Sequence, residues 1–212
     1  PEIVAVRECA YCAPKNDKTL NIMVLGGSQG AKVLGEVVPQ ALADLPLKIR
    51  ARLNVLQQCR VDEVTAAREI FKNAGIKAEV SVFFDDIPAR LASAALVICR
   101  SGASTIAELT TVGRPAILVP FAHATDDHQT ANAEGLSDAG GGWIIQQDGL
   151  TAALLSRRLA ALLSPSPTLN NAATCAAKMG KPEAAENLAD LVVSTMGDDK
   201  DGVSFDPTEA AA

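Results

Sequence analysis

Basic and aromatic side chains are both scarce in this 212-residue chain: 19 Lys and Arg stand against 25 Asp and Glu, and aromatics make up 3% of the sequence. A net charge of −6 leaves no basic footprint with which to neutralise nucleic-acid phosphates or hold an anionic membrane. One Trp, one Tyr and five Phe are too few for a single-strand stacking platform, so no nucleic-acid partner is expected. No apolar run approaches the roughly 20 residues of a membrane-spanning helix. Pro1 to Glu8 lack the basic start and apolar stretch of a signal peptide, so the expected compartment is the cytosol. Pro1 in first place, with no initiator Met, is expected of a piece of a longer chain.

The five cysteines, at 9, 12, 59, 99 and 175, form an odd, scattered set rather than a disulfide framework. Cys9 and Cys12 make a C-x2-C, but no second pair follows, and His123 and His128 cannot complete a zinc site by any familiar spacing. No metal is expected. A thioredoxin-like pair is disfavoured as well, because residues 9 to 12 precede the first clear strand.

What the chain does have is apolar material, 48% hydrophobic against 21% charged, enough to bury roughly 70% of its unfolded surface. The run Asn21 to Leu25 reads as a buried strand stopped by Gly26-Gly27, and Gln29 to Leu45 as a helix that Pro39 must kink or restart. Strands are predicted at Arg52 to Gln57, Glu79 to Phe84, Leu96 to Arg100, Pro115 to Pro120 and Gly142 to Gln146. Between them fall helices at Val61 to Asn73, near Ile87 to Ala94, Ser104 to Val112 and Gln129 to Ala139. Helices at Thr151 to Leu163, Leu169 to Met179 and Pro182 to Met196 follow the last strand. Such alternation demands an α/β fold: a Rossmann-like parallel sheet with helices on both faces, because parallel strands need long right-handed crossovers. Residues 19–196 are expected to form that domain, 1–18 a lead-in, and 197–212 a disordered tail.

Ligands of open parallel sheets bind at the carboxyl ends of strands, and three loops there stand out. Gly26-Gly27-Ser28-Gln29-Gly30-Ala31 is neither a dinucleotide fingerprint nor a P-loop, since Lys32 follows Ala31 and no G-K-[ST] is present. Two readings of it stay open: close backbone approach to an anion with the Ser28 hydroxyl ahead of a helix, or a turn that only packs. In Arg100-Ser101-Gly102-Ala103-Ser104-Thr105, small residues expose consecutive amides, while Ser104 and Thr105 can cap the helix or donate to a phosphate. A diphosphate fits there. Beyond Ile106 and Ala107, Glu108 lies one turn past Ser104 on the same face, within reach of a ligand's hydroxyl pair. The plain alternatives are a solvated charge for Glu108 and a weak surface ion pair for Arg100. In the third loop, 120–132, Gln129 and Asn132 share a helix face whose carboxamides suit a sugar's hydroxyls. Asp126 and Asp127 favour the helix N-terminus, and His128 is either a cap or an acid–base group.

Four stretches carry a resemblance: GGSQGA at 26–31, FFDDI at 83–87, CRSGASTIAEL at 99–109 and DDHQTANA at 126–133. In this order and spacing the chain resembles, over about residues 1–195, the C-terminal half of the MurG family. Those bacterial transferases add N-acetylglucosamine to undecaprenyl-linked muramyl pentapeptide in peptidoglycan synthesis, the step from lipid I to lipid II. The resemblance implies one half of a GT-B glycosyltransferase, the half that holds the donor UDP-N-acetylglucosamine (UDP-GlcNAc), with no tightly bound cofactor. It implies that Ser28 contacts a phosphate and that the main chain near Phe84 reads the uracil edge. Ala103, Ser104 and Thr105 line the diphosphate, Glu108 meets the ribose diol, and Gln129 and Asn132 hold the sugar. Arg100, Ile106 and Ala107 complete that binding set. Phe84 departs from the aliphatic residue common there, which a main-chain contact tolerates.

By the same resemblance, the acceptor site and the catalytic base belong to an N-terminal domain that this chain does not contain. The chain alone is expected to be inactive, and the whole protein to work at the inner face of the cell membrane on a lipid-linked acceptor. Two alternatives are similar to the same half: the soluble, partner-dependent subunit of the two-chain transferase that makes dolichol-linked chitobiose, and half of a UDP-GlcNAc epimerase.

Overall fold

The computed structural model describes residues 2–15, 18–27, 31–121, 127–165 and 167–198. They fall into two compact units that divide after Gly180.

The first unit is built on six parallel strands: β1 (Leu20–Leu25), β2 (Leu53–Gln58), β3 (Lys77–Ser81), β4 (Leu96–Cys99), β5 (Ala116–Leu118) and β6 (Gly142–Ile144). Their order across the sheet is β3-β2-β1-β4-β5-β6. That is the doubly wound order, which reverses between β1 and β4 and opens a crevice at the carboxyl ends of those two strands. The helices are α1 (Glu2–Ala5), α2 (Lys32–Ala43), α3 (Leu47–Arg50), α4 (Val64–Asn73), α5 (Ile87–Ser93), α6 (Ala103–Val112), α7 (His128–Asp138), α8 (Ala152–Leu162) and α9 (Thr168–Met179). The expected α/β architecture is therefore present.

Alternation along the central strands fills both faces. Ile22, Val24, Leu96 and Ile98 pack with Leu34, Val38, Leu42, Leu155 and Leu159 from α2 and α8 on one side. Met23, Leu25, Val97 and Cys99 pack with Leu91, Leu109, Val112 and Leu136 from α5, α6 and α7 on the other. Period-two strands buried on both faces read as continuous apolar runs, which is why β1 and β4 stand out in the sequence.

Three local expectations need correction. Helix α2 does not restart at Pro39 but runs through it as one element, because Leu34, Val38, Pro39, Ala41 and Leu42 are all buried and that packing outweighs the missing hydrogen bond. Strand β3 ends at Ser81 rather than Phe84, and Val82 and Phe83 are exposed beyond it. The short helices α1 and α3, each of four residues, carry too little periodicity to be read from sequence.

The lead-in is fastened to the sheet domain. Tyr11 Oη donates to Ala95 O at 2.8 Å, and Ala13 N donates to Asn170 Oδ1 at 2.8 Å. Arg114, 1% exposed, donates to the carbonyls of Leu91, Val112, Gly113, Cys9 and Ala92. Its guanidinium also lies 5.4 Å from the Tyr11 ring.

Helices α2 and α4 approach closely at Gly35. A Cβ there would stand 2.6 Å from Glu63 Cδ, and Glu63 is itself buried with Oε2 accepting from Arg60 N. In an open helix Gly→Ala stabilises by about 1 kcal/mol. Here that gain is offset, because the carboxylate end of Glu63 must swing aside and give up its bond from Arg60 N, so Gly35→Ala is expected to cost about 1 kcal/mol or less. Thermal denaturation checks this, and a Gly35→Ala, Glu63→Ala double variant is expected to recover part of the loss.

The second unit is described by α10 (Ala184–Asp198), on which Leu188, Leu191, Val192, Val193 and Met196 are exposed. The expected tail from 197 is helical at its first two residues, and 199–212 lie outside the described residues.

Candidate functional site

A cavity of about 840 Å³ opens at the carboxyl edge of the sheet, lined by Gly26 and Gly27 after β1, the start of α2, Arg60 after β2, and Arg100 to Thr105 after β4. Phe121, Gln129 and Gln147 close it on the β5–β6 side. Its position is the topological switch point, and its volume suits a nucleotide-sized ligand.

The sequence positions the second loop tightly. Cys99 ends β4, Ser101 is buried, and Gly102 takes an extended conformation before α6 begins at Ala103. Among the described residues no side chain caps this helix, so of the two roles open to Ser104 and Thr105 capping is not the one taken up. Ile106 N donates to Gly102 O at 3.0 Å, which starts the helical ladder. Among the described residues, the amides of Ala103, Ser104 and Thr105 have no acceptor, and all three residues line the cavity. Unspent amides at a helix start carry about half a positive charge and favour an anion. Ile106 and Ala107 lie in the next part of the helix and do not line the cavity.

Arg100 departs from the surface ion-pair reading. It is 8% exposed; Nη1 donates to Val119 O and Pro120 O, both at 3.0 Å, and Nη2 to Gln147 Oε1 at 2.6 Å. The Phe121 ring lies 5.3 Å from its guanidinium carbon. Among the described residues no carboxylate stands within 4.0 Å of it. Burial pulls its pKa down from the usual arginine value, the signature of a cation without a counter-charge. The other charged residues lining the cavity are already paired: Lys32 with Glu36 at 3.6 Å, and Arg60 with Asp62 at 3.5 Å.

Glu108 is half-buried on α6, not a fully solvated charge, and has no hydrogen-bond or ion-pair partner among the described residues. Desolvation raises its pKa above the ordinary carboxylate range. The Cys99 thiol, fully buried, is pushed up to about 12 by burial first and Glu108 second. Glu108 does not line the main cavity; it stands one turn along the helix whose start does.

The start of α7 is drawn onto the same loop. Ser101 Oγ donates to Gln129 O at 2.8 Å, and Asn132 Nδ2 donates to Ser101 O at 3.1 Å. Gln129 Oε1 accepts from Phe121 N at 3.1 Å, which leaves its Nε2 unpartnered among the described residues at the cavity wall. Asn132 does not line the cavity. Asp127, in the left-handed region at φ 51°, accepts from Thr130 Oγ1 at 2.6 Å, a helix-start role. His128 is exposed on the first turn of α7, and His123 and Asp126 lie outside the described residues.

Ser28 lies outside the described residues; the glycines ahead of it do line the cavity. Gly27 has φ +81°, a backbone that L side chains rarely adopt. Gln58 holds this turn: its Oε1 accepts from Gly26 N and its Nε2 donates to Val82 O, both at 3.2 Å. Phe84 is buried under the Arg90 guanidinium, 4.8 Å from its ring, and is not among the cavity-lining residues. Arg90 is bonded in turn to Glu79 and Asp86.

Sequence reading missed Gln147, Phe121, Lys32, Glu36 and Arg60 as cavity residues. Gln147 and Arg60 follow the carboxyl ends of β6 and β2, so strand-end position alone could have found them. All five cysteines are free thiols. Among the described residues no three His, Cys, Asp or Glu side chains gather as a metal site, and no helix is long and apolar enough to cross a membrane.

Comparison with known proteins agrees with this geometry. Residues 21–188 match the glycosyltransferase family 28 C-terminal domain. A Paramagnetospirillum magneticum protein named UDP-N-acetylglucosamine–N-acetylmuramyl-(pentapeptide) pyrophosphoryl-undecaprenol N-acetylglucosamine transferase is 51% identical over 90% of this chain and 52% of its own length. Its Rhodospirillum rubrum namesake is 52% identical over 92% of this chain and 50% of its own. The crystal structure of Acinetobacter baumannii MurG superposes with a TM-score of 0.76 at 35% identity, covering 91% of this chain and 53% of that one. This chain thus spans about half the length of the curated relatives it matches. The match extends from the second residue of β1 into α10 and takes in the described parts of all three strand-end loops, and on that ground the chain belongs to glycosyltransferase family 28, as its C-terminal domain.

Proposed function

We propose that residues 19–196 are the donor-binding half of an inverting glycosyltransferase that moves N-acetylglucosamine from UDP-GlcNAc to a lipid-linked muramyl pentapeptide. The observation that carries this reading is a pairing at one cavity: the unspent amides of Ala103, Ser104 and Thr105, and the uncompensated guanidinium of Arg100. Both favour a dianionic pyrophosphate.

In such a transfer the bond between the anomeric carbon and the β-phosphate oxygen breaks, the sugar becomes oxocarbenium-like, and the departing UDP gains negative charge. Donors fixed at the start of α6 and at Arg100 meet that charge where it develops, so they favour the transition state over the bound donor. Ser28 adds a hydroxyl to the phosphates, and the main chain at Phe84 reads the uracil. Ile106 and Ala107 shape the helix wall between the phosphates and the ribose, whose diol Glu108 accepts. Gln129 offers its free Nε2 to the sugar hydroxyls, and Asn132, its Nδ2 spent on Ser101, offers Oδ1.

The acceptor, the catalytic base and the membrane-facing surface belong to an N-terminal domain of the same protein, at the inner face of the membrane. This chain by itself binds donor weakly and turns nothing over. Ser104→Asp tests the phosphate placement, because it sets a carboxylate beside the amides that receive the anion. Calorimetric titration is expected to show a loss of UDP-GlcNAc affinity of about tenfold or more, the scale of one charge-assisted hydrogen bond. Affinity within twofold of the unmodified protein would place the phosphates elsewhere.

A further inference from the structure

Gln147 has no part in the binding set expected from sequence, yet it makes the shortest of the side-chain hydrogen bonds of Arg100, 2.6 Å from Nη2 to Oε1. It sits on the 3-10 turn Gln147–Gly149 that follows β6 and lines the main cavity. A guanidinium only donates, so the carboxamide must present its oxygen to Arg100 and its Nε2 elsewhere. That Nε2 has no partner among the described residues.

A buried arginine is commonly held by a carboxylate, which fixes the fork and cancels its charge. Here the corresponding position carries a neutral amide, and the two remaining contacts, to Val119 O and Pro120 O, are neutral as well. The side chain is fixed by three neutral acceptors while its full charge stays uncancelled among the described residues.

We propose that Gln147 is a positioning residue, a neutral tether that holds the Arg100 guanidinium in place at the cavity wall while leaving its whole charge for a ligand's pyrophosphate. This deepens the donor-binding reading and rests on it for the identity of the ligand. Gln147→Glu separates the two tasks of the side chain: a carboxylate keeps the shape and the hydrogen bond but cancels the charge. A residue with a merely structural role would tolerate that change for every ligand alike.

The test titrates the unmodified chain and Gln147→Glu with inorganic pyrophosphate, uridine and UDP-GlcNAc, and records thermal unfolding. The expected result is unfolding at an equal or higher temperature, pyrophosphate and UDP-GlcNAc bound about tenfold or more weakly, and uridine bound equally by both proteins. If Gln147→Glu fails to fold, Gln147→Met replaces it. There the tether is lost at constant volume, and pyrophosphate affinity is expected to fall several-fold with uridine unaffected. Pyrophosphate affinity unchanged in the folded variant overturns the tether, whatever UDP-GlcNAc does. Pyrophosphate binding that depends on Gln147, in a chain that binds neither uridine nor UDP-GlcNAc, upholds the tether and overturns the sugar-nucleotide reading. An unmodified chain that binds none of the three overturns both.

Discussion

Glu108→Gln is expected to lower UDP-GlcNAc affinity by about 10- to 100-fold, the worth of one hydrogen bond to a charged acceptor at roughly 1.5–3 kcal/mol. The physical basis is an unmet cost. Half-burial strips water from the carboxylate, and no described residue supplies a hydrogen bond in return, so desolvation holds its pKa above the ordinary carboxylate range. A ribose diol would supply two donors to the ionised form and draw the pKa back down. Two consequences of opposite sign follow. In the free protein, Glu108 favours folding most when protonated, below its unfolded pKa, and that contribution is lost as pH rises through the raised folded value. In the complex, donor affinity is complete above the raised pKa and declines as pH falls through it. Calorimetry in two buffers of different ionisation enthalpy is expected to show proton release on binding between the bound and free pKa values, and none well above them. Glu108→Gln is expected to abolish the release. Equal affinity in both proteins would remove Glu108 from the donor site.

The largest expected effect on stability belongs to Arg114. Arg114→Met would take a donor from five carbonyls; Leu91 O keeps its bond from Ala94 N and Cys9 is exposed, which leaves Ala92, Val112 and Gly113 as the acceptors without another donor among the described residues, where Arg114 is 1% exposed. An orphaned buried acceptor costs about 1–3 kcal/mol before relaxation and water entry. A net loss of about 4 kcal/mol or more is expected, a large share of the 5–15 kcal/mol that holds a typical domain together. Arg114→Lys is expected to recover only part of it, because an ammonium has three donors on one nitrogen and cannot span the fork's acceptors. Burial pulls the pKa of Arg114 down and pushes that of the neighbouring Tyr11 up, so both are strained toward their neutral forms and held by their hydrogen bonds. Urea denaturation reads the result. A loss below 1 kcal/mol would mean that the lead-in and the end of α5 do not depend on this side chain.

How far the sequence reveals the molecule depends on how local the physics is. The strands at Leu20–Leu25 and Leu96–Cys99 are legible because they are buried on both faces, and the parallel sheet follows from their alternation with helices, whereas the order of its strands does not. The unspent amides at Ala103 to Thr105 are legible because small residues after a strand expose amides whatever surrounds them. Arg114 and Gln147 are not legible. Each depends on partners distant in sequence, Leu91, Ala92 and Cys9 for one and Arg100 for the other, and no local pattern encodes those meetings. Arg100 is half legible: its place at the end of β4 follows from the strand, but its burial depends on the Val119 and Pro120 carbonyls that follow β5 and on Gln147. Pro39 misleads because propensity is local and the packing that overrides it is not.

The most direct test of a pyrophosphate cradle at the start of α6 is a crystal structure of this chain grown with UDP. The expected result is phosphate oxygens at ordinary hydrogen-bond distance, roughly 2.7–3.2 Å, from the amides of Ser104 and Thr105 on the side of the cavity that Arg100 occupies. UDP seated at another edge of the sheet, with those amides facing only solvent, would contradict it.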